Sequence, residues 1–136
     1  MAANTSPIFI ATANVAVLDI ENADGTTLQD LITGGTDGTK VFKINVTSDD
    51  TSAVELQLHY LPSGGSASLL GTVDVAIAAG TDGAEAAVNL LASDQIVCTD
   101  ADGELFIESG DKLQVAATSA VTAAKKVAVV CFAGDY

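Results

Sequence analysis

The chain has no tryptophan, one histidine, two cysteines, two prolines and only five basic residues in 136. Each shortage closes a route. Five lysines against eighteen acids leave a net charge of −13. Binding nucleic acid directly requires a basic footprint that displaces counterions, and the sole adjacent basic pair is Lys125-Lys126. Nucleic acid is therefore excluded as a partner, and anionic membrane is disfavoured by the same charge. Cys98 and Cys131 are far apart and have no second cysteine or histidine beside them. Both are expected to be free thiols, Cys131 buried in step with Val127 and Val129, with no metal or redox chemistry. Apolar runs stay well short of the ~18 residues that span a bilayer. The opening Met1-Ala-Ala-Asn-Thr-Ser-Pro7 has no basic segment leading into an apolar one, so no signal peptide is expected.

What the chain does have is turn chemistry alternating with period-two hydrophobicity. It is organised around Thr33-Gly-Gly-Thr-Asp-Gly-Thr-Lys-Val-Phe-Lys-Ile-Asn-Val46. The Gly34-Gly35 and Asp37-Gly38 pairs predict a turn, since glycine accepts positive φ and Asp bonds its own backbone. The strand that follows is expected to point Phe42, Ile44 and Val46 one way, Lys43 and Asn45 the other. The same grammar recurs along the chain. Two short strands are expected around Ile8–Ile10 and Val15–Ile20, broken near Asn14, and others over residues 28–33, 40–47 and 54–60. Further strands are expected over 69–77, 105–107, 113–117 and 127–132. Tyr60 and Leu69 flank a Gly/Ser loop and predict a hairpin. Residues 84–91 fit either a helix capped by Asp82 and Glu85 or a strand with Ala86, Val88 and Leu90 in phase; the β surroundings favour the strand.

Hydrophobic residues amount to 49% of the chain, enough at this length to bury one core without staples. Many short strands at regular spacing predict an all-β, single-domain antiparallel sandwich or barrel of jelly-roll or immunoglobulin-like type over residues 8–136. Residues 1–7 form an N-terminal arm before it. The expected core is Phe42, Ile44, Val46, Val54, Leu56, Leu58, Val73, Val75, Val115, Val129 and Phe132.

Catalytic patterns are lacking. There is no Gly-x-Ser-x-Gly elbow, and the Gly34…Lys40 spacing is wrong for a phosphate-binding loop. Cys98-Thr-Asp-Ala-Asp-Gly-Glu104 suggests calcium through its closely spaced acids. Aligned on an EF-hand, however, it would put Cys98 at the first ligand position and Ser109 at the bidentate one. An acidic turn is the better account. His59 lies beside Glu55 and Gln57 on the polar face of its strand and is expected to be exposed. No catalytic residue, cofactor or metal site is expected, and the chain is not expected to be an enzyme.

Four segments resemble a group of small tailed-bacteriophage virion proteins encoded among head genes. They are Met1-Ala-Ala-Asn-Thr-Ser-Pro-Ile-Phe9, Thr33–Lys40, Val88-Asn-Leu-Leu91 and Val127-Ala-Val-Val-Cys-Phe-Ala-Gly-Asp-Tyr136, with Ala133 standing where the group tends to have glycine. The resemblance implies a capsid decoration, or cement, protein made in the host cytoplasm and bound to the major capsid protein outside the shell. A homotrimer is the form such a position suggests. A head-fibre or tail component that binds a host surface is the alternative; a carbohydrate-binding sandwich is disfavoured by the scarcity of stacking aromatics. The residues themselves suggest where contact would occur. Asn4, Pro7, Ile8, Phe9 and Ile10 combine a polar arm with an apolar segment that needs a neighbour to order it.

Overall fold

A computed structural model describes residues 9–136. Among the described residues there are nine strands: β1 (Thr12–Glu21), β2 (Gln29–Thr33), β3 (Thr39–Ser48), β4 (Val54–Leu61), β5 (Ser68–Val75), β6 (Val88–Asn89), β7 (Leu105–Ile107), β8 (Lys112–Ala117) and β9 (Lys126–Asp135). The only helical pieces among the described residues are single 3-10 turns at Asn22–Asp24 and Leu90–Ala92. The strands form two antiparallel sheets. The first runs β1-β9-β3-β6, with β7 also pairing with β3; the second runs β2-β8-β4-β5. Together they make a single-domain β-sandwich.

Six of the eight connections between these strands cross from one sheet to the other; the β6–β7 connection stays in the first sheet, and β4 and β5 form the expected hairpin in the second, with Tyr60 opposite Ser68. The inner faces meet in one continuous core. Ile44 and Val46 of β3 and Val127, Val129 and Cys131 of β9 face Leu56 and Leu58 of β4, Val73 and Val75 of β5, and Leu113 and Val115 of β8. Alternation places them there: along β4 the residues Val54, Leu56 and Leu58 are buried while Glu55 faces water.

Five expectations need correcting. Phe42 faces outward at 38% exposure, because β3 carries a bulge. Val41 pairs with Ala133 and Lys43 with Phe132, leaving Phe42 as the extra residue, so the buried phase runs Thr39, Val41, then Ile44, Val46. Phe132 is also exposed, one step out of phase with the buried Val127, Val129 and Cys131. β1 is one unbroken strand with no interruption at Asn14, while Phe9 and Ile10 precede it in irregular conformation. β5 ends at Val75, which leaves Ile77 exposed in a turn. Residues 84–91, expected to be a strand, hold only the two-residue β6 and the start of a 3-10 turn. Asp82 caps the backbone N–H groups of Ala84 and Glu85 at 2.8 and 3.1 Å, so the helix-start signal is spent on an isolated turn.

Two buried aspartates tie loops together. Asp50 accepts from Thr122 N (2.9 Å), Thr122 Oγ1 (2.6 Å) and Ser52 N (3.0 Å). Burial works to raise its pKa, but these hydrogen bonds outweigh it and hold the carboxyl below the usual range. Asp111 accepts the Tyr60 hydroxyl proton and the Ser63 N–H (2.8 Å), which lowers its pKa. Burial and that carboxylate push Tyr60 up to about 12.

Candidate interaction surface

The two outer faces differ in chemistry. That of the second sheet is polar, with Asp30, Glu55 and Asp74 exposed along it and Lys112 and Gln114 both bonded to Asp30 at 2.7 Å. The outer face of the first sheet carries most of the exposed large apolar residues, with the charged Lys43, Asp19 and Lys126 interspersed among them. On β1 the exposed residues include Val15 and Val17, the latter 69% exposed. Register sets Val15 beside Phe132, and Val17 beside Val130. The bulge delivers Phe42 to this face, and β7 delivers Phe106 opposite Lys40. With Phe9, 78% exposed, all four phenylalanines of the chain are exposed. A composition poor in aromatics has thus put its phenylalanines on the surface, where burial by a partner is the ordinary reason for such a patch.

Glycines make the floor of this face. A Cβ on Gly134 would stand 2.4 Å from Ile10 Cγ2, and one on Gly38 would stand 2.5 Å from the Phe106 ring. Ile10 and Phe106 therefore lie flat on backbone, and Phe106 also meets Tyr136 with ring centroids 5.8 Å apart. The corner where the chain enters β1 is pinned by polar bonds. Thr39 Oγ1 donates to Asp135 (2.5 Å) and accepts from Gly35 N (2.9 Å), while Asn14 Nδ2 also reaches Asp135. Tyr136 N donates to Gly38 O at 3.2 Å. This network brings the Thr33–Lys40 turn, the C-terminus and the entry to β1 together. No motif signalled it, since its members are dispersed over the chain.

Of the contact residues expected from sequence, Asn4, Pro7 and Ile8 lie outside the described residues. Phe9 and Ile10 are placed at the edge of the apolar face, Phe9 open and Ile10 seated on Gly134. Val15, Val17, Phe42, Phe106 and Phe132 were missed as surface residues. Only the phase of Phe132 relative to Cys131 could have revealed one of them.

The chemical candidates resolve into structural roles. His59 is half-buried rather than exposed, with Nε2 3.2 Å from Gln57 Oε1. Asp100, Asp102 and Glu104 do cluster. Yet Asp100 Oδ1 already accepts the N–H groups of Asp102 (3.0 Å) and Glu104 (2.9 Å), and Glu104 pairs with Lys40 at 2.5 Å. The cluster is an acidic turn closed by a lysine. Cys98 is exposed and Cys131 buried, both free, with burial pushing the Cys131 thiol up to about 12. A surface hollow of about 600 Å³ lies between Glu55, Asp74 and Thr118 on the polar side.

What fold and surface define together is an antiparallel sandwich with one polar, acid-bearing outer face and one that exposes phenylalanines and valines. No protein-family model matches the chain, and no curated protein does.

Proposed function

We propose that this protein is a bacteriophage capsid decoration protein. It binds the outside of the major capsid shell after manufacture in the host cytoplasm, and it acts by adhesion rather than catalysis. One observation carries the reading: the described parts of the segments that resemble phage head-gene proteins lie on or beside the first sheet. Phe9 stands at the entry to β1, Thr33–Lys40 leads into β3, Val88–Leu91 supplies β6, and Val127–Tyr136 holds most of β9. A docking face of that kind and an acidic remainder suit a small module that cements a neighbour presenting apolar and basic groups.

Binding only the assembled shell would stabilise it by mass action. The test is to add purified protein to capsids of the phage that encodes it, freed of the endogenous copy. Saturable co-sedimentation and a raised disruption temperature of the shell are expected. Capsids that neither bind the protein nor gain stability would overturn the reading. A host-surface-binding fibre or tail component would instead bind cells and leave the shell unchanged.

A further inference from the structure

The two sheets have four edges, and three are guarded. On the β3 side of the first sheet the flanking partners are β6 and β7, only two and three residues long. In the second sheet β2 is bulged at Leu31, where pairing jumps from Asp30 to Ile32. β5 is bulged at Leu70, since Gly71 pairs with Leu58 but Leu69 with His59. Short strands and bulges are the standard devices against edge-to-edge pairing. β1 has none of them. It pairs with β9 over all ten residues without a register shift, contains no proline and no lysine, and leaves its other side unpaired among the described strands.

We infer that β1 is the contact strand of a symmetric pair, with the free edge of one copy joined antiparallel to the same edge of a second copy. The strand is self-complementary about Ala16. In that register Val15 faces the partner's Val17 on the outer side, Asn14 faces the partner's Leu18 on the inner side, and the two Ala16 residues meet on the axis. Ala16 and Leu18 are partly buried against the core already, and the pairing completes their burial. Charge permits the union. Asp19 falls opposite Ala13 and Glu21 opposite Ala11, so no acid faces an acid. Asp19 is also neutralised by Lys126 at 3.6 Å. The exposed acids Asp30, Glu55 and Asp74 lie on the other sheet.

The contact rests on backbone pairing along ten residues and on the flanks of Val15 and Val17, 56% and 69% exposed, while Phe132, one strand inboard on β9, keeps its outward face open. The inference goes beyond capsid decoration and does not need it, because it concerns the free protein.

Sedimentation of the full chain without capsids tests it. The wild type is expected to sediment as a dimer. Val15→Lys/Val17→Lys should sediment as a monomer with an unchanged circular-dichroism spectrum, and Leu69→Lys, on the other sheet, should remain a dimer. If the double variant fails to fold, Ala16→Cys in a Cys98→Ser/Cys131→Ala background decides, Cys131 being removed because it lies directly opposite Ala16 on β9. Paired Cα atoms on the axis would be about 4.5–5.5 Å apart, within disulfide reach, so mild oxidation should link the copies. A monomeric or trimeric wild type, a double-lysine variant that still dimerises, or an Ala16→Cys chain that does not link would overturn the inference.

Discussion

Gly34→Ala should be among the most damaging small substitutions in the chain, for a reason unrelated to backbone torsion. Gly34 is not among the glycines with positive φ. Its Cα instead packs against the β7–β8 loop, where an added Cβ would stand 2.0 Å from the Glu108 carbonyl oxygen. The clash is with backbone, so relief requires moving a chain segment by about 1 Å or more. That segment is held by the Gly34 N–H to Asp111 O bond (2.8 Å) and the Gly110 N–H to Gly34 O bond (3.1 Å). It also bears Asp111, which anchors Tyr60 and Ser63.

Overpacking costs roughly 1–3 kcal/mol and each hydrogen bond about 0.5–1.5 kcal/mol, so a loss of about 2–5 kcal/mol is expected. Urea denaturation followed by circular dichroism measures it, since the chain has no tryptophan to report by fluorescence. Gly64→Ala is the comparison: φ is +74 and the space around it is empty, so only torsion opposes the methyl group, at about 1–2 kcal/mol. A Gly34→Ala protein within about 0.5 kcal/mol of wild type, or more stable than Gly64→Ala, would refute the reasoning.

Leu56→Ala, which empties a fully buried site on a central strand, should cost about 2–5 kcal/mol, whereas Phe132→Ala on the outer face should cost under about 1 kcal/mol in the isolated chain; urea midpoints separate them. Asp50 and Asp111 have depressed pKa values, so their stabilisation is complete above the ordinary aspartate pKa near 3.8 and is lost as pH falls through the lower folded-state values. Thermal scans should show stability falling steeply with acid below about pH 4, and Asp50→Asn should blunt that slope. Tyr60 works in the opposite direction: its folded pKa of about 12 exceeds the ordinary tyrosine value of about 10, so its contribution is present below pH 10 and disappears as pH rises towards 12, and Tyr60→Phe should flatten that alkaline limb. In a thiol titration without reductant, Cys98 should react in the native protein and Cys131 only after unfolding.

Local grammar made the strands legible but not their arrangement. β4 could be read directly because Val54, Leu56 and Leu58 alternate with Glu55, Gln57 and His59, and the bulge in its pairing with β5 puts the extra residue, Leu70, on β5. β3 misled because its bulge is dictated by β9: whether Phe42 is an extra residue depends on how Val41 and Lys43 pair with Ala133 and Phe132, which nothing in residues 39–48 specifies. Residues 84–91 carried a real signal, the Asp82 side chain capping two N–H groups, but a cap needs an apolar face to bury before a helix propagates.

The interaction surface was the least legible part, and for the same reason. That β1 stands at an edge follows from its pairing with the far end of the chain and from the second sheet leaving it unpaired. Outward phenylalanines look like core residues until the phase of each strand is known. The polar corner at Thr39 and Asp135 likewise exists only because the start of β1, the start of β3 and the end of β9 meet there.

The central claim is that this molecule is a component of the capsid exterior. Protein quantification on purified particles of the encoding phage tests it most directly, with the major capsid protein as the internal reference. A decoration protein should be present in numbers commensurate with the capsid subunits and should be stripped by treatments that leave the shell intact. Absence from the particles, or a handful of copies that fractionate with tails, would contradict the account.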